Sequence, residues 1–314
     1  KLCGAGLMMY LSLLKNVIKK LTPSSRTLAI ALPYGFLLLF FMLPFVAVMK
    51  ISVADQAIQI PPYTDLISNE NGQWRLHINF EHYKSVLFDN LYLNAYIDSI
   101  IVAFNTTLIC LLIGYPTAYY IARCEKWRNV LLMALMLPFW TSYLIRVYAW
   151  IGILKDNGLL NNFLLAVNAI EEPLRLYHNN WGMYIGMVYS YLPYLILPLY
   201  AHMVKMDLTL LEAAHDLGAK PWKAFRDITL PLSMKGVIAG SLLVFIPAVG
   251  EYVIPELLGG SDSIMIGRVM WDDFFNNTDW PIASATACIM VVLLLIPIAL
   301  FQRLQVEEMD KSND

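Results

Sequence analysis

Apolar runs of membrane-crossing length, separated by polar stretches, set the rhythm of this chain. A helix needs roughly 20 apolar residues to cross a hydrocarbon core of about 30 Å. Four segments, residues 28–49, 100–122, 181–201 and 280–301, hold no Asp, Glu, Lys or Arg over that length. Two further apolar segments carry ionisable side chains: 130–154 contains Arg146, and 236–258 contains Glu251 and Glu256. A rare charge is tolerated in a span that turns it toward protein or a water-filled cavity. The pattern therefore predicts six transmembrane helices, spans 1 to 6 in chain order. Pro33, Pro44, Pro116, Pro138, Pro193, Pro198, Pro247 and Pro297 fall inside them, where neighbouring helices can satisfy the freed carbonyls and kinks are expected.

The polar stretches add detail. Leu14, Val17, Ile18 and Leu21 recur at i, i+3, i+4, i+7 with Lys15, Lys19 and Lys20 between them, the pattern of an amphipathic helix lying in the membrane interface. Residues 1–27 thus read as a cytoplasmic or interfacial segment, 28–302 as the membrane domain and 303–314 as a cytoplasmic tail. The loops at 51–94 and 155–180 are long and polar, with turn signals at Pro61-Pro62, Asn69 to Gly72 and Asn157-Gly158.

Composition agrees with a membrane protein. Of the 314 residues, 58% are hydrophobic and 15% charged, against about 25% charged in soluble domains. The formal charge of −2 lacks the basic excess of a nucleic-acid binder. Cys3, Cys110, Cys124 and Cys288 form no CxxC pair and the five histidines are scattered, so no metal site is indicated. Neither HExxH nor GxxxxGK[ST] occurs, which argues against an intramembrane metalloprotease and places any ATP hydrolysis in another chain.

Basic residues are retained on the cytoplasmic side. Fifteen Lys and Arg lie before span 1, at 123–128, from Lys205 to Lys235 and after span 6. Six lie in the alternate loops, and Arg146 remains inside span 3. Both termini are therefore expected in the cytoplasm.

The cytoplasmic loop between spans 4 and 5, residues 207–231, punctuates itself as two short helices. Asp207 is suited to cap the first, Gly218 to a left-handed exit and Pro221 to the first turn of the second. Its spacing is Glu212-Ala213-Ala214, three residues, Gly218, nine residues, Ile228, one residue, Leu230-Pro231. This resembles the EAA motif of binding-protein-dependent ABC importer permeases. The segments Pro138 to Arg146, Asn157 to Asn161, Ile246 to Gly260, Met265-Ile-Gly267 and Asp279-Trp-Pro281 are similar to the polyamine (putrescine/spermidine) branch, and within it to putrescine permease subunits.

The resemblance implies an all-α membrane protein of six transmembrane helices of the ABC importer permease type, preceded by an N-terminal interfacial helix, in a bacterial inner membrane. It implies that Glu212, Ala213, Ala214 and Gly218 couple to a cytoplasmic ATPase. The partners it implies are a second homologous permease, two ATPase subunits that bind ATP and magnesium, and a periplasmic polyamine-binding protein, with no cofactor on this chain. A permease for another small substrate, or an ion-coupled secondary transporter, is the alternative.

For a cationic cargo, Glu251 stands 16 residues above Lys235, about 24 Å up a helix, and Glu256 lies one turn or so farther. Carboxylates at that depth are functional candidates. Tyr252 adjoins Glu251, Tyr143 and Trp150 flank Arg146, and aromatic faces attract cations. Glu251 has two readings: it lines the substrate path, or it pairs with Arg146.

Overall fold

The computed structural model describes residues 25–70, 73–260 and 263–311, so the expected N-terminal amphipathic segment lies almost wholly outside the described residues. In chain order the structure comprises α1 (Ala29–Ser52), a hairpin of β1 (Ile67–Glu70) and β2 (Gln73–Leu76), α2 (Glu81–Phe88) and α3 (Asn90–Arg123). There follow α4 (Arg128–Trp140), α5 (Tyr143–Leu154), α6 (Leu159–Ala166), α7 (Asn180–Met203) and α8 (Thr209–Asp216). The last four are α9 (Pro221–Val249), α10 (Val253–Leu258), α11 (Ile266–Trp271) and α12 (Trp280–Lys311).

Five of these, α1, α3, α7, α9 and α12, are long and apolar enough to cross a membrane. They correspond to expected spans 1, 2, 4, 5 and 6. The antiparallel hairpin, with Ile67 opposite Leu76, is a small β element that the all-α expectation did not include.

Span 3 is broken far more sharply than the single, kinked helix expected over 130–154. It is a pair of helices bent by 95° between Trp140 and Tyr143. Pro138 has no N–H to give, the turn around it tightens to a 3₁₀ geometry over Leu137–Trp140, and both the N–H and the hydroxyl of Thr141 fold back onto the Pro138 carbonyl. With Ser142 then extended (ψ 139°), the helix cannot continue.

Span 5 also differs from its expected limits, 236–258. α9 begins at Pro221, inside the EAA loop, and ends at Val249. The second loop helix is therefore the first turn of the span itself, joined through a wide π-type turn at Phe225–Thr229. α9 extends over 29 residues, about 43 Å.

The core is built on α7, which packs against both α3 and α9. Small residues let the backbones approach, as in many membrane helix pairs. A Cβ on Gly240 would lie 2.8 Å from the Leu195 carbonyl oxygen, and one on Gly236 would lie 2.8 Å from the His202 Cβ. The interface is filled by Met187, Leu195, Ile196, Leu199, Val244 and Ala248, all buried. α1 stands apart from this core, its apolar side chains exposed, and meets α12 through its C-terminal half.

α3 starts at Asn90, ten residues before the uncharged run that predicted it, because Asp89 accepts the Leu91 N–H at 2.9 Å and caps the first turn. The added turns bind the segment after α10. Tyr92 donates to Asp273 at 2.8 Å, Ser99 accepts the Ile266 N–H at 2.8 Å, and Tyr96 donates to the Thr286 carbonyl at 2.7 Å.

Candidate functional site: a broken span and a coupling loop

Two sites occupy opposite ends of α9. At its N-terminal end, Asp207 accepts the Thr209 N–H at 3.0 Å, and this bond holds its carboxyl below the usual carboxylate range. The α8 backbone leaves through Gly218 in the left-handed region, φ 77°, where a residue without Cβ is unstrained. Pro221 opens α9. Glu212 and Ala213 are exposed and Ala214 is half-buried. Leu217 and Trp222 are 89% and 71% exposed. Ala214, Leu217, Gly218, Lys220, Lys223 and Asp227 border a groove of about 500 Å³. All four expected coupling residues thus lie on one short projecting unit, anchored to the bundle where Tyr115 and Tyr119 of α3 meet the Phe225 ring edge-on.

At the other end the chain breaks at Gly250 and Glu251. Glu251 is 9% exposed. Its Oε1 accepts the backbone N–H groups of Tyr252, Val253 and Ile254 at 3.2, 3.0 and 3.4 Å. Its Oε2 accepts the hydroxyl of Tyr191 on α7. The carboxylate therefore caps α10 and ties it to the central helix. α11 closes over the same break: a Cβ on Gly267 would lie 2.7 Å from the carbonyl oxygens of both Gly250 and Glu251.

No ion pair within 4.0 Å joins Arg146 to Glu251 among the described residues, so that reading is not borne out. The Arg146 guanidinium instead lies 5.2 Å from the Phe139 ring and 5.7 Å from the Tyr143 ring, and its Nε is buried without a hydrogen-bond partner. The 95° bend explains the separation, because it sends Arg146 along α5 rather than up a straight span. Tyr143 remains in the electrostatic neighbourhood of both Glu251 and Arg146. Trp150 meets Tyr189 edge-on at 5.3 Å, Phe139 meets Tyr194 at 5.2 Å, and Tyr194 lies 6.2 Å from Tyr191. Tyr252 stacks on Trp271 at 4.6 Å. Glu256 is ion-paired with Arg268. The six expected pathway residues thus have separate partners: Tyr143, Arg146 and Trp150 meet aromatic rings around α5, Glu251 caps α10, Tyr252 stacks on Trp271 and Glu256 pairs with Arg268.

Sequence reasoning gave no partner to Tyr191 or Arg268, and Gly267 entered it only within the Met265-Ile-Gly267 segment. Tyr191 carried a usable signal, since a tyrosine amid an uncharged span needs a partner for its hydroxyl. Arg268 counted only as an external loop charge, because nothing in its spacing links it to Glu256.

A sequence profile of the family described as "Binding-protein-dependent transport system inner membrane component" matches residues 112–311, more than half of the chain. The chain belongs to this family. This binding-protein-dependent permease is similar to the spermidine/putrescine transport system permease protein PotB of Salmonella typhimurium (strain SL1344), at 34% identity over 286 residues, 90% of this chain and 95% of that one. It is also similar to PotB of Escherichia coli (strain K12), at 40% identity over 218 residues, 69% of this chain and 79% of that one. Its fold matches the crystal structure of a bacterial ABC transporter involved in the import of the acidic polysaccharide alginate, with TM-score 0.64 and 16% identity over 93% of this chain and 99% of that one. The matched family region includes both the EAA loop and the α9–α10 break. The permease is a multi-pass inner-membrane transport subunit.

Proposed function

We propose that this chain is a permease subunit of an ATP-driven polyamine importer, supplying half of the translocation pathway beside a second homologous permease. Two cytoplasmic ATPase subunits bind ATP and magnesium, and a periplasmic polyamine-binding protein delivers cargo. Both termini face the cytoplasm, as the distribution of basic residues indicates.

The observation that carries the mechanism is the continuity of α9. One 29-residue helix runs from Pro221 in the exposed EAA loop to Val249 at the break. A displacement applied by an ATPase at Glu212, Ala213 and Ala214 on α8 passes through the short turn at Gly218 into Pro221, and from there reaches Gly250 along one helix. The break then moves α10 and α11 together, because Glu251 and Gly267 join them there. Tyr143, Arg146 and Trp150 on α5, with Tyr252 and Glu256 after the break, offer aromatic faces and charge to a passing ammonium. The polyamine cargo rests on the 34% and 40% identity to spermidine/putrescine permeases.

The test is ATP hydrolysis by the assembled transporter in proteoliposomes with its binding protein. Putrescine or spermidine is expected to stimulate hydrolysis and to accumulate inside. A cargo without amines stimulating equally would reject the polyamine reading. For orientation, a cysteine at Asn277 is expected to react with an impermeant reagent from outside, and one at Glu212 to stay unlabelled.

A further inference from the structure

Only Cys124 to Trp127 separate α3 from α4, and this short turn concentrates charge. Residues 123–128 hold Arg123, Lys126 and Arg128 against Glu125, a net +2. Among the described residues none of the three cations is ion-paired with a carboxylate. The Arg123 guanidinium lies 4.0 Å over the Tyr119 ring, and Lys126 Nζ lies 5.8 Å from the Trp127 ring. Arg128 donates from Nη2 to the Ala122 carbonyl at 2.9 Å, while its Nε is buried without a hydrogen-bond partner. A helix C-terminus favours cations, and Arg128 on the Ala122 carbonyl already meets that need at the end of α3. Arg123 and Lys126 remain exposed, with no carboxylate to hold them.

The surroundings are those of a bilayer surface. α3 reaches the turn past exposed Leu112 and Tyr120, and α4 leaves it past exposed Val130 and Met133. α3 is a membrane span and α4 the first half of the bent one, so the cations stand at the margin of an apolar surface that faces lipid. Tyr120 and Trp127, 62% and 54% exposed, place amphipathic rings at that margin, where such rings are favoured. The turn lies at the EAA end of the molecule, since Tyr119, beneath Arg123, also meets Phe225 edge-on at 6.5 Å.

Guanidinium and ammonium groups bind phosphate oxygens through charge-assisted hydrogen bonds, and basic segments flanking a span draw anionic lipid to the cytoplasmic leaflet. We propose that the α3–α4 turn binds the phosphate of an anionic phospholipid, held by Arg123 and Lys126, with Arg128 fixing the turn through its bond to Ala122. The acyl chains then lie along the exposed apolar faces of α3 and α4. Assignment to the cytoplasmic leaflet rests on the orientation proposed above; the phosphate chemistry does not.

The test takes the assembled transporter in detergent and measures, by native mass spectrometry, phosphatidylglycerol retained against excess phosphatidylcholine. Arg123→Gln and Lys126→Gln are each expected to weaken retention about fivefold, and together about 25-fold. Arg123→Lys should stay near wild type. So should Lys205→Gln, which removes an exposed cation just after α7 and outside the turn. Unchanged retention in the double variant, or an equal loss in Lys205→Gln, overturns the site. Displacement of the lipid by millimolar inorganic phosphate would assign the turn to a soluble anion and overturn the lipid. Lost ATPase association at unchanged lipid retention would give the turn to the ATPase instead and reject the proposal. Should Arg123→Gln not assemble, Lys126→Gln alone decides: weaker retention supports the site, and unchanged retention rejects it. Orientation is read separately by the cysteine at Glu212, whose labelling from outside would overturn the leaflet and leave the binding result standing.

Discussion

Tyr191 donates its hydroxyl proton to the Glu251 carboxylate, joining the middle of the central helix α7 to the break between α9 and α10. With three backbone N–H groups on the other oxygen, a buried anion is satisfied entirely by the chain that holds it. Such a group is a brace before it is a lure for cations.

The energetic consequence is specific. Glu251→Ala orphans the buried Ile254 N–H and Tyr191 hydroxyl, each costing about 1–3 kcal/mol, and two half-buried N–H groups besides, whereas Glu251→Gln keeps one acceptor oxygen and leaves the Tyr191 hydroxyl able to re-pair. Thermal unfolding of the purified complex should therefore rank wild type above Glu251→Gln and Glu251→Gln well above Glu251→Ala. Tyr191→Phe should cost about 1.5–3 kcal/mol, the range for a hydrogen bond to a charged group, and be non-additive with Glu251→Gln. Polyamine uptake per assembled Glu251→Gln transporter is expected near wild type. Lost uptake at unchanged stability would return Glu251 to the substrate path.

What was legible in the sequence follows from the kind of signal each feature leaves. Uncharged runs located spans 1, 2, 4 and 6, because the cost of charge in lipid acts on composition alone. The EAA loop was legible because capping, left-handed exit and helix start each demand a residue type, supplied by Asp207, Gly218 and Pro221. The bend in span 3 was hidden, since Pro138 resembles seven other prolines of which most sit within continuous helices. Arg146 and Glu251 looked like partners because both are rare charges in lipid. Their actual surroundings, two aromatic rings for one and a helix N-terminus for the other, depend on the bend and on Tyr191, which lies 60 residues from Glu251.

Asp273 gives a pH-dependent expectation. Burial, followed by the charges of Asp279 and Asp272, raises its carboxyl pKa against the lowering effect of Tyr92 and Asn277. A group that holds its proton more tightly when folded contributes stability below its unfolded pKa, about 3.9, and loses that contribution as pH rises through the folded value. Asp273→Asn removes the titration while keeping an acceptor for Tyr92 or Asn277. The variant's melting temperature relative to wild type should therefore climb between about pH 4 and pH 8. A difference that stays flat or falls over that window contradicts the assignment.

The coupling loop is expected to fail by itself, leaving the bundle intact. Gly218 has φ 77° and open space where a Cβ would be built, so substitution there meets no neighbour and acts through backbone strain alone, roughly 1–2 kcal/mol for an L-residue in the left-handed region. Gly218→Ala should disturb the α8 exit mildly and Gly218→Val, β-branched, more strongly. Glu212→Lys reverses an exposed charge on the same projecting unit without touching the Phe225 anchor on α3. Each variant should purify with normal thermal stability and normal association with the second permease. Co-purification of the ATPase and substrate-stimulated hydrolysis should both drop, in the order Gly218→Ala, then Gly218→Val, with Glu212→Lys weakening ATPase association in a salt-dependent manner. If all three variants retain the ATPase and hydrolyse ATP at wild-type rates, this loop is not the element through which α9 is driven.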